Sequence, residues 1–284
     1  MKKTITILIL LLFISACSVQ EILKNAGVSK PVVKYEKVNI TGLSFDGIDL
    51  MFDFSIDNPN ALGINLAGFD YNVKINNNSF VSGNQEKKIS IPSRGKNNIQ
   101  IPVSLSFSEL INTYKSFSDR DSVDYGLAGS FAFDLPVIGK VSVPYSTSGN
   151  FPMLKIPSIS VSELKLNKIN LLGAEVLLKL DCENPNKFDL GLDGFDYSFG
   201  IAGKEWINSN YTKKVSLKSE NKAEIDIPIK LNFLQVGSSV YSLLTGNSKL
   251  DYFLKGDLNV SSGLPMLGKQ VIKLDKSGKV SLLK

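Results

Sequence analysis

Asn58-Pro59-Asn60 followed by Gly68-Phe69-Asp70-Tyr71 reappears 126 positions later as Asn184-Pro185-Asn186 followed by Gly194-Phe195-Asp196-Tyr197. The same offset carries Lys87-Lys88-Ile89-Ser90 onto Lys213-Lys214-Val215-Ser216 and Ile101-Pro102 onto Ile227-Pro228. Near the ends it drifts to 129, with Leu135-Pro136 against Leu264-Pro265 and Leu154-Lys155 against Leu283-Lys284, so loops absorb the three extra residues. A period of this length is too long for a solenoid unit and matches a whole domain of about 100–150 residues. The chain is therefore a tandem duplication, and each copy needs its own core.

The residues around the signature decide the fold class. From Asn98 the chain alternates strictly, with Ile99, Ile101, Val103, Leu105 and Phe107 on one face and Gln100, Ser104 and Ser106 on the other. That is the period of a half-buried strand, and Ile225, Ile227, Ile229, Leu231 and Phe233 repeat it. Pro102 and Pro228 each remove a ladder donor, which places this strand at an edge or a bulge. A second alternating run, Leu50, Phe52, Phe54 and Ile56, matches Val176, Leu178, Leu180 and Cys182. Proline in Asn-Pro-Asn fixes φ and asparagine tolerates turn conformations, so the triplet ends this run with a fixed turn. Gly68 and Gly194 are then expected to open the Phe-Asp-Tyr strands. Ser106-Phe107-Ser108-Glu109 has capping-box spacing, and Asn232 to Gln235 recapitulates it, which predicts one short helix per copy. Short strands, Gly- and Asn-rich turns and a single helix indicate an all-β protein, two tandem Ig- or fibronectin-III-like β-sandwiches, and not a βαβ fold. The copies are expected over 33–155 and 156–284, with a short connection at Pro157.

The first residues read differently. Lys2-Lys3, an apolar stretch from Ile5 to Ile14 and then Ser15-Ala16-Cys17 have the layout of a secretory leader, too short to span a bilayer. Ile14-Ser15-Ala16-Cys17 resembles a bacterial lipobox, which predicts a lipoprotein signal peptide over 1–16, acylation of Cys17 and a tether over 17–32. Two or three acyl chains hold a protein on a membrane where one barely does. Ser18, in place of the Asp that retains lipoproteins at an inner membrane, points to an outer-membrane location in the envelope, facing the periplasm.

Composition excludes several functions. The chain has no histidine, which removes the commonest general base and metal ligand and rules out Ser-His-Asp and Cys-His schemes. Cys182 aligns with the inward Ile56 and reads as an inert buried thiol, leaving no zinc site and no disulfide framework. Trp206 aligns with Phe80 and reads as a core aromatic. Asp70 and Asp196 read as satisfying neighbouring loop amides, and a hydrolase would have to draw on them or on Asp53 and Asp57. The charge excess of +5, of which Lys2 and Lys3 supply two, is spread along the chain and is no nucleic-acid footprint. Lys87-Lys88 and Lys213-Lys214 read as guards of exposed strand edges.

An alternating strand ending in Asn-Pro-Asn, a Gly-Phe-Asp-Tyr strand and a Lys-Lys and Ile-Pro pair resemble the late embryogenesis abundant type 2 proteins and their water stress and hypersensitive response (WHy) domain. The resemblance covers Val33 to Lys284 as two copies. It implies a sandwich with a short helix, no enzymatic site, no cofactor, and a role in desiccation, cold or salt stress through protection of proteins or membranes. The motif residues Asn58, Pro59, Asn60, Gly68, Asp70, Asn184, Pro185, Asn186, Gly194 and Asp196 are then structural. The alternative is an envelope interaction module that binds a protein, glycan or lipid through its edge strands and Asn-rich loops.

Overall fold

The computed structural model describes residues 27–283, apart from 137, 238, 247, 248 and 265. The leader and Cys17 lie outside the described residues. The first repeat runs β1 (Val32–Leu43), β2 (Gly47–Asp57), β3 (Ile64–Ile75), β4 (Asn78–Ile91), β5 (Lys96–Ser106), α1 (Phe107–Thr113), a 3-10 turn (Lys115–Phe117), β6 (Ser122–Leu135) and β7 (Gly139–Pro152). Its strands form a three-stranded sheet, β1-β2-β5, and a four-stranded sheet, β4-β3-β6-β7. The expected sandwich is present, with three strands in one sheet and four in the other. The inward runs of the two sheets interlock through Phe54 of β2 and Phe131 of β6, whose ring centroids are 5.4 Å apart, and through Phe52 and Tyr125 at 5.6 Å. Phe52, Phe54, Phe131 and Phe133 are almost wholly buried, and each such ring contributes roughly 1.5–3 kcal/mol of burial.

The second repeat runs β8 (Ser158–Ile169), β9 (Gly173–Asn184), β10 (Leu190–Ile201), β11 (Lys204–Tyr211), β12 (Val215–Leu217), β13 (Asn221–Asn232), α2 (Phe233–Val236), α3 (Ser239–Thr245), β14 (Lys249–Ser262) and β15 (Lys269–Leu283). Its strand order is β11-β10-β14-β15-β8-β9-β13, with β12 paired to β10. Here β15 meets β8 in parallel at Leu282 opposite Leu164 and Leu283 opposite Lys165. That short pairing joins the two layers along one side; in the first repeat β7 and β1 belong to separate sheets.

The proline positions fall where they must. β5 and β13 are the terminal strands of their sheets, so Pro102 and Pro228 cost no interior ladder bond. Residues 87–88 lie on the terminal strand β4, and Lys213-Lys214 lie between β11 and β12 at the corresponding edge. Asn76 and Asn77, both at positive φ, make the tight turn between β3 and β4.

Two expectations need correction. Gly68 and Gly194 do not open their strands: β3 starts at Ile64 and β10 at Leu190, and each glycine sits inside its strand at a register shift. A Cβ on Gly68 would stand 2.5 Å from the Gln85 carbonyl oxygen, and Gly194 has φ +120, so a bulge excludes side chains at both positions. The second repeat also carries two helical segments instead of one, because Gly237 at φ +94 breaks the helix after Val236. Both N-cap residues are as expected, but only the first has the predicted capping-box spacing; the second bonds one residue earlier. Ser106 Oγ accepts from Glu109 N, and Asn232 Oδ1 accepts from Leu234 N.

By contact the chain divides into two compact units. Unit 1 comprises the described part of Met1–Thr41, with Asp49–Leu105 and Ser122–Pro152; unit 2 comprises Gly42–Ile48, Ser106–Asp121 and Met153–Lys284. Unit 2 thus gathers the second repeat together with the β1–β2 turn and the helical segment of the first.

Candidate functional site

The signature asparagines are buried, and that is the most demanding placement in the molecule. Asn58 and Asn184 have no exposed surface, and Asn60 and Asn186 have almost none. A buried amide is tolerated only when its two donors and its acceptor oxygen are all paired. Asn58 Nδ2 donates to the Leu62 and Pro92 carbonyls, each at 2.9 Å, and Asn58 Oδ1 accepts from the main-chain and side-chain nitrogens of Asn60 at 3.0 and 2.9 Å. Asn184 Nδ2 donates to Phe188, Leu217 and Lys218 carbonyls at 2.8, 3.1 and 3.2 Å, and its Oδ1 accepts from both Asn186 nitrogens.

The second asparagine of each triplet has a different task. Asn60 Nδ2 donates to Ser29 O at 2.9 Å while Ser29 N donates back to Asn60 Oδ1 at 2.7 Å. Asn186 does the same to Lys155, at 2.7 and 2.9 Å. The side-chain amide replaces a neighbouring strand and fastens the chain 31 residues upstream. Amides do not titrate in the working pH range, so the network is a clamp and not a catalytic group.

The carboxylates raised by the sequence are dispersed. Asp70, exposed on β3, accepts from the Ser130 hydroxyl of β6, and its main-chain oxygen accepts from Tyr145 Oη at 2.9 Å. Its partner is thus an adjacent strand and not a loop amide. Burial, then the charge of Asp70, pushes the Tyr145 phenol upward. Asp196, also exposed, stands opposite Asp257 of β14 and Asn210 of β11. Asp53 accepts from Asn39 and Gln100 at 2.9 and 2.8 Å, and Asp57 faces Lys96 at 3.4 Å. Asp53 and Asp57 lie on β2 and Asp70 on β3 of the other sheet of unit 1, while Asp196 lies on β10 in unit 2. Among the described residues, no cluster of three His, Cys, Asp or Glu has metal-holding geometry.

Cys182 is fully buried, and burial pushes its thiol up to about 12. Trp206 packs edge-on against Phe199 at 6.3 Å, within the core of its sheet. Lys214 faces Asp193 at 3.6 Å. Within unit 2, Asp121 joins Lys187 at 2.7 Å and Lys155 at 3.0 Å, and these ammoniums, Lys187 first, hold its carboxyl below the ordinary value.

Recesses lie in both units. In unit 1 a shallow polar recess of about 450 Å³ lies over the β3 bulge, lined by Gly68, Asp70, Glu86, Lys88, Asp134 and Lys140. In unit 2 an apolar cleft of about 280 Å³ is lined by Phe45, Phe107, Ile111, Met153, Leu154 and Ile156. Sequence reasoning missed the cleft. Its signal was Phe45, a large apolar residue in a turn. Reasoning also missed Leu171-Leu172, which occupy the same turn in the second repeat.

A family model described as "Late embryogenesis abundant protein" matches residues 53–149 and 179–278. The matched segments start 126 residues apart and end 129 apart, the register of the duplication. Among similar proteins, a desiccation-related protein of Arabidopsis thaliana is 27% identical over 136 residues, covering 48% of this chain and 80% of that one. The desiccation-related protein PCC27-45 of Craterostigma plantagineum is 28% identical over 137 residues, covering 48% and 89%. A solution structure of an Arabidopsis thaliana protein, at 22% identity, covers 44% of this chain and 83% of that one with a TM-score of 0.37.

Proposed function

The chain belongs to the late embryogenesis abundant family in two tandem copies, and from that membership we propose a non-enzymatic protein that protects proteins or membranes during desiccation or osmotic stress. The observation that carries the reading is the match of the family to both sandwiches in the register of the duplication, with relatives named for desiccation. The buried amide clamps support it, because they secure a fold that is complete in water and spend the signature residues on architecture.

The proposal includes the anchor. Lys2-Lys3, the apolar stretch and Cys17 support a lipoprotein held in the envelope of a bacterium, with Ser18 favouring the outer membrane and a periplasmic face. No helix among the described residues is long and apolar enough to cross a membrane. A Cys17→Ser variant is expected to leave the detergent-soluble membrane fraction when envelopes are fractionated; full retention there would overturn the anchor. For the protective role, a deletion strain is compared with its parent after drying or high salt and in ordinary growth. A defect confined to stress supports protection. A defect confined to ordinary growth supports the second reading, an interaction module, which the terminal strands β4, β5, β11 and β13 favour as places where a partner strand could be added.

A further inference from the structure

The turn between β8 and β9, Asn170-Leu171-Leu172-Gly173, carries two leucines where turns ordinarily carry polar residues. Leu171 is 87% exposed and Leu172 74%, and Leu234 in the first turn of α2 is 87% exposed. Phe233 N donates to Leu172 O at 3.0 Å, so turn and helix form one apolar tip. Its backbone is held in place. Asn170 Oδ1 accepts from Leu172 N and Gly173 N at 2.8 and 3.0 Å, and Asn232 Oδ1 caps Leu234 N at 3.0 Å. A preorganised tip loses little freedom on docking.

The duplication supplies the comparison for this end of the sandwich. Position 171 corresponds to Phe45, which is 5% exposed because, within unit 2, it lines the apolar cleft with Met153 and Leu154. The chain covers its own apolar turn in the first repeat, whereas among the described residues nothing covers the leucines in the second. Beside them lies a recess of about 300 Å³ whose charged lining is Lys168, Glu175 and Lys230. Lys168 and Lys230 flank Glu175 across neighbouring strands, and Lys168 approaches it to 3.7 Å, which leaves one positive charge in excess. Leu172 lines this recess, but Leu171 and Leu234, each 87% exposed, stand outside it, and apolar side chains so exposed suit a soft surface better than a peptide.

We propose that the β8–β9 end of the second repeat is a membrane-contact tip: Leu171, Leu172 and Leu234 enter the interface of an anionic bilayer, and Lys168 and Lys230 meet its phosphate groups. The inference rests on the protective reading and names the membrane as a client of unit 2.

The test uses the full chain carrying Cys17→Ser and Leu171→Cys, labelled at 171 with an environment-sensitive fluorophore. Val271→Cys, an exposed position of β15 outside the tip, is the control. Phosphatidylglycerol vesicles are expected to blue-shift the label at 171, and brominated acyl chains to quench it, with little change at 271. Phosphatidylcholine vesicles, or Lys168→Glu with Lys230→Glu, should weaken the response about tenfold or more, because each removes the attraction between the two lysines and an anionic surface. An absent shift, an equal shift at 271, or a shift that grows with protein concentration without vesicles would overturn the tip, the last in favour of a second copy. A shift produced only by added unfolded protein would overturn it in favour of a peptide client. Vesicle binding without protection on drying sinks the protective reading alone; protection without vesicle binding sinks the tip alone.

Discussion

At the scale of single residues, Asn58 and Asn184 each tie three backbone segments together. Replacing either by alanine removes the donor to two partly buried carbonyls and the acceptor shared by two buried nitrogens of the second asparagine in the triplet, where a group left unpaired costs about 1–3 kcal/mol. We expect Asn58→Ala and Asn184→Ala to lower stability by about 3 kcal/mol in urea unfolding, with the slope of the transition unchanged; a loss under 1 kcal/mol would mean the network is dispensable. Asn58→Asp should be worse at neutral pH, since a carboxylate would face two carbonyl oxygens, and should recover as the pH falls toward 4 and the acid protonates. Cys182 gives a pH dependence of the same sign in a higher range. Its thiol is raised from 9.0 to about 12 in the fold, so the native state holds its proton where the unfolded chain loses it. The contribution is complete below pH 9 and is lost between about 9 and 12, and alkylation at pH 8 should proceed only as fast as unfolding. Rapid stoichiometric labelling of the folded chain would contradict this. The burial of Cys182 was legible because its duplicate is Ile56. The grip of Asn60 on Ser29 and of Asn186 on Lys155 was not, since the partners are main-chain atoms, which every residue carries.

At the scale of elements, alternation located β2, β5, β9 and β13, and the two prolines correctly placed β5 and β13 at edges. Strand starts and helix continuity were harder to read. A glycine before Phe-Asp-Tyr looks like the beginning of a strand, yet in both repeats it is a bulge within one, because local sequence carries no trace of where the neighbouring strand slips. Gly68→Ala is expected to cost about 1–3 kcal/mol, since its Cβ would meet a backbone oxygen at 2.5 Å that cannot rotate away. Thermal unfolding checks this, and an unchanged midpoint would show that the bulge can shift. The split after Val236 was likewise hidden: Gly237 reads equally as a tolerated helical glycine and as the break that its φ of +94 makes it.

At the scale of the molecule, the same architecture occurs twice with different finishing. Repeat 2 closes one side through β15 and β8, and repeat 1 keeps its two sheets separate. Duplicated positions also differ in exposure, as Phe45 and Leu171 show, and a covered turn is told from an uncovered one only by what packs against it. The apolar burial of both sandwiches argues for a protein that is folded before water is lost, in keeping with protection by a standing surface. The most direct test is to dry and rehydrate a labile reporter enzyme with the purified chain or with an equal mass of an inert folded protein. The account predicts more surviving activity with this chain than with the control; survival equal to the control, with the chain still folded after rehydration, would contradict it.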